Sequence, residues 1–280
     1  MAYTAFKPEI WAQFIENELP KALIAADFCH TKYEGEIKGA GSVVNITELG
    51  RPTITKTTDG EPITISSFEK VADSKISMPI KKQAYFGVQL DDSDKAQAIQ
   101  GVYENLMKGG SYAMANQIDA DILALASDSQ AVKDSATAYH LTSANVLSKI
   151  DTAVVTLQQN NVPFNEALEL TMTPRAYALY RQAMIGTSTD NPALLAKNIA
   201  GQYNQVQIKV SNNVATANAG AEDLMILRTN KAIALERQLV KVETDRLQGG
   251  FADIIKGLSL YDCMITKPKE MVVMNVKYTA

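Results

Sequence analysis

The feature that most constrains the fold is a long segment of β character at residues 33–90. Within it, residues 51–75 are mostly Thr, Ser, Lys, Asp and Glu, with few apolar side chains. Residues 58–62 (TDGEP) form a strong turn signal, which predicts a two-stranded ribbon. Because such a ribbon is marginally stable alone, it needs something to lie against, and its own neighbourhood offers no obvious partner. We therefore expect it to pack on another subunit.

Strands are predicted on both sides of this ribbon. Residues 43–47 (VVNIT) form a candidate strand bounded by glycines, and residues 75–80 form the returning arm. Residues 85–90 then alternate, which places Phe86, Val88 and Leu90 on one face.

A long helix is predicted over residues 95–126. Asp91, Asp92 and Asp94 precede it and supply capping groups for its N-terminus. Apolar residues recur at helical spacing from Ile99 to Leu125. The Gly109-Gly110 pair interrupts this pattern and predicts either a bend or a close packing contact. At 1.5 Å per residue the helix would span on the order of 45 Å, which is typical of a spine.

The rest of the chain is predicted as a short helical N-terminus, an α/β block and a β-rich end. Residues 8–27 carry an apolar stripe with little sequence nearby to cover it. The block contains a helix from Ser143 or Asn145 to Leu157 and a second helix opened by Thr173-Pro174. The predicted strands are residues 168–172, 206–210, 223–227, 232–246, 258–266 and 271–276.

Composition excludes several classes of protein. The net charge is -4 and acids outnumber bases 31 to 27, which argues against tight binding of a phosphate backbone. The N-terminus lacks the pattern of a signal peptide, and no stretch approaches the roughly 20 apolar residues of a membrane span. Cys29 and Cys263 leave a disulfide open, but two thiols favour a reducing, cytosolic setting at synthesis.

Candidate chemical sites favour ordinary structural roles. Asp91, Asp92 and Asp94 lack the further ligands of a calcium loop, so helix capping is the better interpretation. The adjacent Cys29 and His30 would diverge, and two histidines are a thin inventory for zinc. Nucleophile elbows, P-loops and HExxH motifs are absent from the sequence. We therefore predict no catalytic, metal or cofactor site and no enzyme activity.

A mixed-charge run lies on a predicted strand near the end of the chain. Its members are Glu236, Arg237, Glu243, Asp245 and Arg246. This run has two interpretations: a solvated face, or salt bridges between subunits that set their register.

The order of the elements resembles the HK97-like major capsid proteins of tailed bacteriophages. Matching pieces occur along nearly the whole chain, in the family's order: residues 6–11 (FKPEIW), 33–37 (YEGEI), 43–46 (VVNI), 86–92 (FGVQLDD), 173–177 (TPRAY), 210–212 (VSN), 251–253 (FAD), 257–258 (GL) and Tyr261. The resemblance implies an α+β chain with the HK97-like capsid fold. That fold has an N-terminal arm, an extended β-hairpin loop, a long spine helix and an α/β axial domain.

The same resemblance implies a division of the chain. The segments are an N-terminal arm (1–32), an extended loop with flanking strands (33–90), a peripheral spine helix with linker (91–141), an axial domain (142–230) and a return through the peripheral domain (231–280). In that family, arm and loop overlap neighbouring subunits. Candidate inter-subunit contacts are Trp11, Phe14, Arg51, Asp59, Lys70, Glu236, Arg237 and Arg246.

The implied function is a structural subunit of an icosahedral head shell around double-stranded DNA. Its pentamers and hexamers would be built in the bacterial cytoplasm and retained in the virion, without a membrane or a cofactor. Some relatives begin with a long scaffold segment, whereas this chain starts directly with the arm, so a separate scaffolding protein is expected as a partner. A portal is a further expected partner. No motif marks Lys56, Lys70 or Lys75 as a cross-linking residue. The alternatives are an encapsulin-type compartment and an enzyme of an unfamiliar α/β class.

Overall fold

A computed structural model describes residues 24–31, 43–49, 52–54, 56, 73–91, 102–186 and 202–278. The α-helices are α1 (Val102–Ala124), α2 (Val146–Gln159) and α3 (Pro174–Gly186). The strands are β1 (Val43–Leu49), β2 (Asp73–Pro79), β3 (Lys82–Asp91), β4 (Val132–Lys133), β5 (Tyr139–His140), β6 (Leu168–Met172), β7 (Gln202–Tyr203), β8 (Val206–Val210), β9 (Thr216–Ala217), β10 (Glu222–Arg228), β11 (Ile233–Arg246), β12 (Ala252–Ile265) and β13 (Met271–Lys277). Short 3₁₀ turns lie at Ala26–Phe28, Leu125–Ser127, Asn218–Gly220 and Pro268–Glu270.

A sheet of eight strands forms the centre of the molecule. Its main path runs β4-β13-β10-β6-β8-β7, with β5 paired to β13 and β9 paired to β10. Strand β13 lies between β10 and the short strands β4 and β5. The strand at 271–277 therefore belongs to the same sheet as the block predicted at 142–230. The division into arm, loop, peripheral and axial parts stays a prediction.

The two faces of this sheet bury two different cores, because side chains alternate along each strand. Helices α2 and α3 cover one face, against Leu170 of β6 and Leu227 of β10. Helix α1 and the turn at Ala26–Phe28 cover the other face, against Leu224 and Ile226 of β10. All five residues of β6 are buried, as its apolar sequence predicts.

A second sheet orders its three strands β11-β12-β3, all antiparallel. Alternation in β3 is confirmed: Ala84, Phe86 and Val88 are half-buried, whereas Tyr85 is 81% exposed. The half-buried residues Ala84 and Phe86 pack against the core that contains α1. The sheet and helix together form the layer below the eight-stranded sheet.

Helix α1 confirms the predicted spine over its described length. It has 23 residues, or about 35 Å at 1.5 Å per residue; its predicted start at residue 95 lies outside the described residues. The helix runs through Gly109 and Gly110 without a break. A Cβ at Gly110 would lie 3.4 Å from the Phe86 ring, so this glycine permits close packing of β3 on the helix.

The polar ribbon begins as predicted, with β1 paired antiparallel to β2 from Val43↔Pro79 to Leu49↔Asp73. Its predicted turn at 58–62 lies outside the described residues. The expected packing of residues 51–75 on another subunit stays a prediction, whereas the base of the ribbon has cover within the chain. Met78 and Ile80 are 1% exposed and pack with Ala234 and Leu260.

The predicted starts of the two later helices are close to those observed. Asn145 occupies the N-cap position of α2, although its side chain accepts from Thr142 N–H, ahead of the helix. Thr173 Oγ1 accepts from Ala176 N–H, and Pro174 is the first residue of α3. Among the helices in the described ranges, none has the length and hydropathy of a membrane span.

Candidate assembly site

The region of greatest functional interest is where the N-terminal segment enters the fold. We call residues 24–30 the docking segment and the side chains of Asp119, Glu169, Lys209 and Arg228 the charged cluster. Asp119 comes from α1, and the other three come from β6, β8 and β10. The cluster lies on the face of the central sheet that α1 covers.

The strand register brings the two most buried members together. Glu169 and Arg228 are direct partners across the antiparallel β6–β10 pair, so their side chains share a face. Arg228 Nη2 donates to Glu169 Oε1 at 2.9 Å, and Lys209 Nζ lies 2.9 Å from Glu169 Oε2. The side chains of Glu169 and Arg228 are 0% and 1% exposed. Burial lowers the pKa of Arg228, but the carboxylate of Glu169 opposes this, and the guanidinium stays charged.

The charged cluster holds the backbone of the docking segment. Asp119 Oδ1 accepts from the Ala25 N–H at 2.6 Å, and Arg228 Nη2 donates to the Ala25 carbonyl. Lys209 Nζ donates to the Ile24 carbonyl at 3.0 Å. Both polar groups of the Ala25 backbone are therefore satisfied by buried, charged side chains, which is the condition for burying that backbone.

Neutral groups complete the surroundings of Asp119. Its Oδ2 accepts from Ser211 Oγ and from Asn213 Nδ2, both at 3.4 Å. Asn213 Nδ2 also donates to Asn116 Oδ1 at 2.6 Å. The loop after β8 thus fixes the carboxylate that receives the docking segment.

The docking segment ends by joining the three-stranded sheet. His30 pairs in parallel with Ala234 of β11. The His30 N–H donates to the Ile233 carbonyl at 2.9 Å, and the His30 carbonyl accepts from the Leu235 N–H at 3.0 Å. The predicted arm (1–32) is therefore anchored in its own chain at residues 24–30, and its apolar residues Trp11 and Phe14 lie outside the described residues.

The two cysteines are free thiols with structural partners. Cys29 Sγ donates to the Ala25 carbonyl at 3.3 Å and accepts from Arg228 Nη1 at 3.1 Å. Burial raises the pKa of Cys29, although Arg228 opposes this, and burial raises the pKa of Cys263 to about 12. A thiol is nucleophilic as the thiolate, so both side chains should be unreactive.

We expect neither cysteine to react rapidly with Ellman's reagent at pH 8 in the folded protein: Cys263 should stay unreactive, and Cys29 should react no faster than the docking segment opens. Both should react promptly after denaturation, which provides the control for total thiol. A rapid reaction of one equivalent in the native state would contradict this expectation.

The base of the ribbon is tied to α1 by a second polar contact. Lys82 Nζ and Tyr261 Oη both donate to Asp121 Oδ2, at 3.0 Å and 2.8 Å. The Lys81 N–H donates to Asp262 Oδ2 at 3.2 Å. These contacts fix the start of β3, directly after the ribbon base, to α1 and β12.

The mixed-charge run is divided between the interior and the surface. Glu236 is 0% exposed, so the interpretation as a solvated face is wrong for this residue, whereas Arg237 is half-buried. Arg246 is exposed and lies 3.6 Å from Asp253 within the chain. Exposed pairs of this kind contribute under about 1 kcal/mol. Contacts of this run between subunits stay a prediction.

Other predicted contacts and ligands fall partly outside the described residues. Arg51, Asp59 and Lys70 lie there, as do Asp92 and Asp94, while Asp91 is the last residue of β3. The described residues contain no group of three side chains placed to hold a metal ion. Sequence reasoning missed the charged cluster, although Glu169 in the apolar strand LELTM was a usable signal.

Comparisons with known proteins place the fold. No family model and no curated protein matches the sequence. A structure from Mycobacterium phage Che8 is similar with a TM-score of 0.71 and 22% identity, over 90% of each chain. The capsid structure of the cyanophage P-SCSP1u gives a TM-score of 0.68 and 13% identity, over 100% of this chain and 91% of that one.

A third similar structure comes from outside the phages. The virus-like particle from Pyrococcus furiosus gives a TM-score of 0.58 and 12% identity, over 95% of this chain and 98% of that one. The likeness spans the central sheet, the spine helix and the ribbon base rather than one motif. The chain therefore has the HK97-like capsid fold.

Proposed function

We propose that the chain is the major capsid protein of a tailed phage, whose copies assemble into an icosahedral head shell around double-stranded DNA. The observation that carries this proposal is the likeness to a phage capsid over the whole chain. Sequence identity is low in that comparison, so the fold rather than particular residues supports the function. The role is structural and not enzymatic.

The physical basis of assembly is mutual burial. The ribbon and the N-terminal segment both leave the fold from fixed bases, the first beside Lys82 and the second at Ile24. Segments beyond those bases find cover on neighbouring copies, through many contacts of modest individual strength. Trp11, Phe14, Arg51, Asp59, Lys70 and Arg246 are the residues that we propose for these contacts. Pentamers and hexamers, a scaffolding protein, a portal and assembly in the host cytoplasm belong to the same proposal.

We expect purified chain to form closed shells, visible by negative-stain microscopy and sedimenting far faster than a monomer. Trp11→Ala and Arg51→Glu should each reduce the shell fraction about tenfold or more, because each removes a contact repeated many times in one particle. Val155→Ala provides a matched control, since Val155 is an exposed apolar residue of α2. A compact monomer at every concentration and salt would rule out the proposal.

A second candidate function is the shell of a cellular compartment that encloses a cargo protein instead of DNA. The likeness to the virus-like particle from Pyrococcus furiosus keeps this candidate open, although structures from phages form most of the similar structures named above. Particles isolated from the native source distinguish the two, because nuclease-protected DNA indicates a phage head and a co-purifying enzyme indicates a compartment.

A further inference from the structure

We propose that the docking segment is a releasable latch: residues 24–30 leave the charged cluster as a unit while the rest of the chain stays folded. Its use in assembly rests on the proposed function, but the release itself is a property of one subunit.

The contacts that hold the docking segment are mainly polar. Ile24 and Ala25 are bound by Asp119, Lys209 and Arg228 through backbone groups. The buried apolar side chains of the segment are only Ala25 and Ala26, and Phe28 is half-buried. When the segment leaves, water replaces each of these hydrogen bonds, and little apolar surface becomes exposed.

The charged cluster has no net charge, and the docking segment is not needed to neutralise it. The cluster contains two carboxylates, Asp119 and Glu169, and two cations, Lys209 and Arg228. The one acidic residue of the segment, Asp27, is exposed and adds no charge to the interior. Release therefore hydrates four charged side chains and leaves the pairs of Glu169 with Arg228 and Lys209 intact. Hydration of such groups is favourable, which offsets part of the lost contacts.

The ribbon base, in contrast to the docking segment, is held mainly by apolar contacts. Met78 and Ile80 are large, almost fully buried and packed on Ala234 and Leu260. Release of that strand would expose apolar surface on both sides, which water does not compensate. The ribbon base is thus held by apolar burial, whereas the docking segment is held by polar contacts. Local opening should therefore be confined to the docking segment.

Release would change the reach of the N-terminal segment. Seven residues in extended form span roughly 24 Å, so release would let the point at which residues 1–23 join the fold move by up to about that length. A neighbouring copy that binds the N-terminal segment could then favour either the docked or the released state of residues 24–30. The change between these two states requires no movement within the folded core.

Native-state amide exchange on unassembled subunits tests the latch. We expect peptides covering residues 24–31 to exchange faster than those covering β6 and β10, through an opening that depends weakly on denaturant. Asp119→Ala removes the acceptor of the Ala25 N–H, and it should speed exchange of the 24–31 peptides about tenfold or more. Exchange in β6 and β10 should change far less.

Glu166→Gln is the matched control, because it breaks an ion pair with Lys231 at 2.7 Å outside the charged cluster. It should leave the 24–31 peptides unchanged. If the 24–31 peptides exchange at the same rate as those of β6 and β10 in the wild type, the segment belongs to the ordinary core and the latch proposal is wrong. The proposal is also wrong if Asp119→Ala speeds exchange of all these peptides by the same factor. Because the subunits are unassembled, a failure to form shells would leave this result untouched.

Discussion

Gly257→Ala should lower the free energy of unfolding by about 2–3 kcal/mol, although alanine normally suits a strand better than glycine. Gly257 lies in β12 directly opposite Phe86 of β3. A Cβ at this position would lie 2.2 Å from Phe86 Cε1, well inside van der Waals contact. The ring has limited room to shift away, because its other edge packs close to α1, where a Cβ added at Gly110 would lie 3.4 Å from it. Urea unfolding followed by circular dichroism measures the change.

Two variants control this prediction. Gly87→Ala, in the adjacent strand, places its Cβ in open space and should be neutral or stabilising by up to about 1 kcal/mol. Phe86→Leu combined with Gly257→Ala should recover part of the loss, since the smaller side chain vacates the overlap. Equal losses in Gly257→Ala and Gly87→Ala would contradict the steric account.

Leu170→Ala should lower the free energy of unfolding by about 2–5 kcal/mol. Leu170 is 0% exposed in the middle of β6, between Leu227 of β10 and Ile208 of β8. Its side chain belongs to the core beneath α2 and α3, where two helices and a sheet leave little room to collapse around a cavity. Thermal and urea unfolding should both report the loss.

Val155→Ala on the outer face of α2 is the control, because Val155 is 47% exposed and loses little buried surface. Its effect should stay within about 0.5 kcal/mol. A loss at Leu170 no larger than that at Val155 would mean that the core beneath α2 and α3 repacks freely.

Much of the fold was predictable because its signals are local. Alternation identified β3, and a short run with Leu168, Leu170 and Met172 identified β6. The capping pair Thr173-Pro174 identified the start of α3 within one residue. The spine helix was predicted from its apolar spacing, and the order of these elements, more than any one of them, indicated the HK97-like fold.

The candidate site was less predictable because it depends on pairing between distant strands. Nothing local to Arg228 indicates that it lies opposite Glu169, and the cluster forms only when β6, β8 and β10 are in register. For the same reason, the cover of the ribbon base was not predicted. Met78 and Ile80 look isolated in sequence, yet their cover comes from Ala234 and Leu260. The burial of Glu236 likewise follows from tertiary packing rather than from its charged neighbours.

The position of β13 has a consequence for the time at which the chain can fold. This strand pairs with β10 on one side and with β4 and β5 on the other, so residues 132–140 have no neighbour in the sheet until residues 271–277 have been synthesised. Contacts so distant in sequence slow folding and delay it until late in translation. A chain interrupted on the ribosome before residue 271 would therefore lack a finished sheet.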